Sequence, residues 1–155
     1  MDKIFWLIAI AVTCANAYIL YFRSKGEVAR NPELKEGYDS LLKGFLIAMN
    51  IPWVVMGVGI LAGGVQSLFD YSDPRTGNPY VIAFHSTVFI LWALCVFWIY
   101  FGGGAEFLVR HPGWMNYNIK SVLALKLLLA LFLFGGAFAE VAVWFRSPIL
   151  PHPLR

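Results

Sequence analysis

The chain has 155 residues, of which 59% are hydrophobic and only 14% charged. An ordinary soluble domain has about 45–50% apolar and about 25% charged residues. Nine acidic and twelve basic residues are too few to cover a surface in water. The composition therefore excludes a typical water-soluble domain and indicates a protein solvated by lipid. The net charge of +3 does not make nucleic acid an expected partner, because the basic residues cluster near the ends of apolar stretches, where lipid headgroups account for them.

Four apolar stretches are long enough to cross a hydrocarbon core, which takes about 20 helical residues. They cover about residues 4–22, 44–69, 79–101 and 121–145. Each predicts a helix, because backbone groups in lipid must be hydrogen-bonded within their own segment and the stretches lack the alternation of barrel strands. The sequence thus predicts an all-α membrane protein in which residues 1–155 form a single domain, a small bundle of four transmembrane helices.

The long polar segment between the first two stretches has its own helix signals. Asn31 can cap a helix, and Pro32 can occupy its first position. From there apolar residues recur on one side at helical spacing, with most charges on the other. This pattern predicts a short interfacial helix that leads directly into the second transmembrane helix. A solvated extension of that helix fits the pattern equally well.

Basic residues are unequally divided between the two sides of the predicted membrane. The side of the first and third loops has seven, namely Arg23, Lys25, Arg30, Lys35, Lys43, Arg110 and Lys120. The side of both termini has four, namely Lys3, Arg75, Arg146 and Arg155. Because cytoplasmic loops carry the excess of basic residues, we expect both termini to face away from the cytoplasm, in a bacterial inner membrane.

Ionisable residues inside a transmembrane span are candidates for function, because a charge in hydrocarbon is unfavourable unless it is paired or hydrated. His85 and Glu140 lie at similar depths from the predicted outer ends of their helices, and Gln66 falls in the same zone of the second stretch. We expect these three to form a polar cluster in the outer half of the bundle. Its role is either a hydrogen-bond network that fixes helix register or the handling of a proton, ion or cofactor.

Lys126 is the other charged residue within a predicted span. Its stem can lean back to cytoplasmic water, or it can form a second polar layer with Asn50 at a similar depth. Small residues predict close helix packing at Gly59 and Gly63, which are four residues apart, and at Gly136 on the face that carries Glu140.

The sequence supplies no catalytic constellation. Neither metal-ligand spacing nor a Ser-His-Asp arrangement, phosphate loop or nucleotide fingerprint is present. No cofactor is required by the sequence, although haem or quinone near His85 stays open as an alternative.

We therefore expect a small integral membrane protein that is not an enzyme by itself, most simply a structural or accessory subunit of a larger membrane complex. Its expected partners are the lipid bilayer and other membrane subunits or further copies of itself. Two alternatives remain: a proton or small-solute transport module that uses His85 and Glu140, and a redox subunit with haem or quinone near His85.

Overall fold

The computed structural model describes residues 2–115 and 119–145. Within these ranges the chain is helical and has no strand. Its helices are α1 (Phe5–Arg30), α2 (Lys35–Leu61), α3 (Pro79–Tyr100), α4 (Gly104–Arg110) and α5 (Val122–Phe145). Helices α1, α2, α3 and α5 are each long and apolar enough to cross a membrane. The predicted all-helical fold with four such helices is thereby confirmed, while Arg146, His152 and Arg155 lie outside the described residues.

The segment predicted to form a separate interfacial helix is instead the first part of α2. Asn31 and Pro32 lead into a short 3-10 turn, Pro32–Leu34, and α2 then continues without interruption from Lys35 to Leu61. Its apolar side packs against protein, since Tyr38 is 1% exposed and its hydroxyl donates to the Pro112 carbonyl over 2.5 Å. The apolar periodicity therefore reflects a tertiary contact within the chain.

Helix α2 ends earlier than the apolar pattern predicts, at Leu61 and not near Phe69. Gly63 adopts φ +71°, a left-handed conformation that glycine reaches without strain. The N–H of Gly63 donates to the Ile60 carbonyl and that of Gly64 to the Gly59 carbonyl, over 3.1 Å each. This is the hydrogen-bond pattern of a Schellman cap, which turns the chain out of the helix even though the sequence stays apolar.

The connection from α2 to α3 contains two 3-10 turns, Leu68–Ser72 and Pro74–Thr76. The first begins with a capping box, in which Ser67 and Asp70 each satisfy the other's backbone N–H. The Asn78 side chain then caps α3 and accepts from the N–H of Tyr80, as the Asn-Pro pair in the sequence predicts.

The strongest helix contacts follow chain order. Helix α1 packs on α2, α2 on α3, and α3 on both α4 and α5. Buried side chains form two clusters, one around Met56, Tyr71 and Val81 and the other around Ile99 and Leu125. The first cluster lies where α2 and α3 meet the connecting turns, and it supports the residues described next. Closure of the helices into a small bundle stays a prediction.

Candidate functional site: a histidine and glutamate pair between helices

His85 and Glu140 are in direct contact across two apolar helices. His85 lies on α3, six residues after its first residue, and Glu140 on α5, five residues before its last. The Nδ1 atom of His85 is within hydrogen-bond distance of Glu140 Oε1. The His85 side chain is 4% exposed and that of Glu140 is 16% exposed. The pair thus joins α3 to α5 in a site with little access to solvent.

The second ring nitrogen of His85 is also engaged. Its Nε2 lies 2.8 Å from the backbone carbonyl oxygen of Tyr71. A carbonyl oxygen can only accept a hydrogen bond, so Nε2 must carry a hydrogen. Nδ1 then either accepts a proton held by Glu140 or donates one to the glutamate carboxylate. In both cases one transferable proton lies between Nδ1 and Oε1, and the pair as a whole is neutral.

Tyr71 is held in place from the opposite side. Its hydroxyl donates to the Met56 carbonyl over 2.9 Å, and the residue is 4% exposed. Burial, together with the nearby Asp70 carboxylate, raises the pKa of the Tyr71 phenol and keeps it a donor. Gly59 makes room for this contact, because a Cβ there would collide with the Tyr71 hydroxyl and touch Tyr80. The orientation of His85 therefore depends on α2 as well as on α5.

Aromatic rings form much of the remaining wall. The ring centroids of Phe84 and Trp144 lie 5.3 and 5.9 Å from that of His85, and both rings meet it edge to face. The Trp144 indole N–H is buried and has no hydrogen-bond partner among residues 2–115 and 119–145. An unpaired donor beside the pair is unfavourable in an apolar setting, so a polar group from outside the described residues would be stabilised there.

Gln66 does not join this cluster. Because the cap at Gly63 ends α2, Gln66 lies in the following turn with its side chain exposed, and its backbone N–H donates to Asp70 Oδ2 over 3.1 Å. The backbone carbonyl of Tyr71 occupies the position that was expected for a side-chain amide. Sequence reasoning missed Tyr71, although the Ser67 and Asp70 capping-box spacing was a signal for the turn that contains it.

The expected second polar layer has different partners. The Lys126 ammonium lies 3.3 Å from Glu106 Oε1 on α4, and the Asn50 amide donates to the Leu46 carbonyl of its own helix over 2.8 Å. The structure therefore does not bring Lys126 and Asn50 together. The Glu106 backbone N–H and the Lys126 ammonium hold the pKa of Glu106 below its ordinary value. Lys126 reaches toward the end of the helices where α4 lies, in the direction its stem was expected to lean.

The three glycines expected at helix contacts divide into two kinds. Gly59 abuts Tyr71 and Tyr80, and a Cβ at Gly136 would collide with the Trp92 ring of α3. Both positions let aromatic side chains approach a helix backbone. Gly63 has no atom within 4 Å of the place a Cβ would take, so its importance is conformational and lies in the α2 cap.

The geometry limits what His85 can ligate. Both of its ring nitrogens have hydrogen-bond partners, so binding haem iron would require one of these bonds to break. Within the described residues, no group of three or more His, Cys, Asp or Glu is placed to hold a metal ion. The arrangement is suited to fixing helices together and to holding one proton.

Comparisons of the chain with protein-family models, curated proteins and solved structures found no match.

Proposed function

We propose that this protein is a structural or accessory subunit of a larger membrane complex. The observation that carries the proposal is a continuous apolar stripe on the outward face of α5. The stripe consists of Leu127, Leu131, Phe134, Phe138, Val141 and Phe145, which are between 42% and 82% exposed.

The spacing along this stripe favours another helix as its partner. Successive members are alternately four and three residues apart over the length of α5, which is the repeat that lets side chains of two helices interlock. Gly135 lies beside the stripe with open space around it, and a small residue allows a neighbouring backbone to approach. In lipid, helices associate through such packing, because acyl chains are already as apolar as leucine.

Photo-crosslinking in native membranes tests this proposal. We expect a photoreactive phenylalanine analogue at Phe138 to form one discrete protein adduct, because this ring is 77% exposed within the stripe. The same analogue at Phe22 is the control, since that ring is 62% exposed but belongs to α1. Phe134→Ala combined with Phe138→Ala should abolish co-purification of the partner. Adducts to lipid alone at Phe138, or adducts between two copies of this chain only, would contradict an accessory role.

Proton handling is a second candidate function, and the pair between α3 and α5 favours it. His85 and Glu140 share one transferable proton in an apolar environment, and an ionisable pair within a span is commonly functional. We expect Glu140→Gln to abolish proton flux into vesicles that contain the protein, because the amide cannot accept and release a proton. Glu106→Gln is the matched control, since Glu106 lies on α4 and is bound to Lys126. Unchanged flux in Glu140→Gln, with the fold intact, would rule this function out.

We further propose that the protein resides in a bacterial inner membrane with both termini facing away from the cytoplasm. The excess of basic residues at the α1–α2 connection and in the α4 region supports this orientation.

A further inference from the structure

A cleft opens between α2 and α3, and neither His85 nor Glu140 lines it. Its volume is about 870 Å³, which is within the range of sites that hold small molecules. Helix α2 contributes one wall and α3 contributes the other, while the α4 region and Leu129 of α5 line the rest. The lining residues used below are Ser40, Gly44, Met49, Cys95, Arg110 and Trp114.

The cleft is apolar along most of its length and polar at one end. From Ser40 to Met49 its α2 wall rises about 13 Å, and the facing α3 wall consists of Leu91, Leu94, Cys95, Trp98 and Ile99. Ser40, Arg110 and Trp114 lie at the end nearest α4. Contact between the His111 ring and Gly37 brings the first turns of α2 against this end. The cleft therefore has apolar walls along most of its length and one cation, Arg110, at the end nearest α4.

The Arg110 side chain is exposed and is available to a ligand. Its Nε donates to the Glu106 carbonyl over 3.4 Å, and in the described part of the chain its two terminal nitrogens have no hydrogen-bond partner. The Glu106 carboxylate, four residues earlier on α4, is bound by Lys126 over 3.3 Å and interacts with Arg110 only electrostatically. A guanidinium that has no carboxylate hydrogen-bonded to it favours a phosphate, which it can bind through two parallel hydrogen bonds.

We propose that the cleft binds one acyl chain of an anionic phospholipid, with the headgroup phosphate on the Arg110 guanidinium. A cleft with apolar walls and a single cation at one end is complementary to a molecule with an apolar tail and an anionic headgroup. In the orientation proposed above, on which this step rests, the Arg110 end of the cleft lies in the cytoplasmic leaflet, which carries anionic lipids. Lipid binding here is independent of the proposed subunit role, because the cleft and the α5 stripe share no residue.

Native mass spectrometry of the purified protein, equilibrated with equal amounts of phosphatidylglycerol and phosphatidylcholine, tests the proposal. We expect one retained phospholipid and a clear preference for the anionic lipid. Gly44→Phe should remove the retained lipid, because Gly44 lines the cleft and a Cβ there meets no atom within 4 Å. Gly26→Phe is the matched control, since Gly26 is a helical glycine with the same open space but lies on α1, outside the cleft.

Arg110→Gln separates the headgroup contact from the acyl contact. We expect it to lower the preference for phosphatidylglycerol about fivefold, the factor that corresponds to one basic residue at a membrane surface, while a lipid is still retained. Equal retention of the two lipids by the unaltered protein, or full retention in Gly44→Phe, would overturn the proposal. A dimer that disappears in Gly44→Phe but not in Gly26→Phe would also overturn it, because a second copy would then occupy the cleft.

Discussion

At His85 the two ring nitrogens have partners of different chemistry, and this difference fixes the state of the site. The Tyr71 carbonyl requires a hydrogen on Nε2, so the remaining proton is confined to the contact between Nδ1 and Glu140. The depth of His85 and Glu140 along their helices was sufficient to predict that they meet. The carbonyl partner was not predictable in this way, because every residue has a backbone carbonyl and only the folded turn selects Tyr71.

Removing the glutamate should destabilise the protein strongly. We expect Glu140→Ala to lower the free energy of unfolding by about 3–5 kcal/mol, because it leaves a buried polar group without its partner. Glu140→Gln should cost no more than about 1–2 kcal/mol, since the amide still donates a hydrogen bond to Nδ1. Denaturant unfolding in detergent micelles measures both values. Equal losses in the two variants would show that the carboxyl group itself is required and that an amide hydrogen bond to Nδ1 does not replace it.

At the scale of elements, apolar length and helix signals predicted the membrane helices well, and their ends less well. Pro79 and Asn78 marked the start of α3 correctly. The end of α2 was placed too late, because Val65, Leu68 and Phe69 are apolar while Gly63 provides the cap. Hydrophobicity indicates which side chains favour an environment away from water, whereas a left-handed helix cap depends on the backbone conformation of one residue. The two signals disagree where an apolar segment folds back as a turn.

The ion pair between Glu106 on α4 and Lys126 on α5 should make the free energy of unfolding depend on pH. The pKa of Glu106 is lower in the folded protein than its ordinary value, so the carboxylate stabilises the fold above that ordinary value and loses its effect as the pH falls through the lowered pKa. We expect Glu106→Gln to be less stable than the unaltered protein near neutral pH and equally stable in strong acid, where the Glu106 carboxylate is protonated in both the folded and the unfolded state. Thermal unfolding at a series of pH values measures this difference. A gap that persists in strong acid would assign it to packing.

At the scale of the whole molecule, helices in contact are mostly neighbours along the chain. This arrangement leaves large apolar surfaces on α1 and α5 and an open cleft between α2 and α3. Both free cysteines, Cys14 and Cys95, are exposed on helices that can face lipid. We propose that a partner helix covers the exposed surface of α5 and that a lipid fills the cleft.

The orientation of the whole molecule can be tested by thiol labelling. In a variant with Cys14→Ser and Cys95→Ser, we expect Thr76→Cys to react with a membrane-impermeant reagent added on the side of the membrane away from the cytoplasm. Glu33→Cys should react only after the membrane is permeabilised, because it lies at the basic connection between α1 and α2. The reverse pattern would place both termini in the cytoplasm.

The sequence by itself indicated a lipid environment, and it predicted the four long helices and the contact between His85 and Glu140. Each of these depends on composition or on distance along a helix, and both are local properties of the chain. Only the tertiary structure decided that Tyr71 completes the pair, that Glu106 binds Lys126 and that a cleft ends at Arg110. Those features require segments far apart in sequence to be placed beside one another, and the cap at Gly63 and the packing of the 111–112 segment on α2 provide that placement.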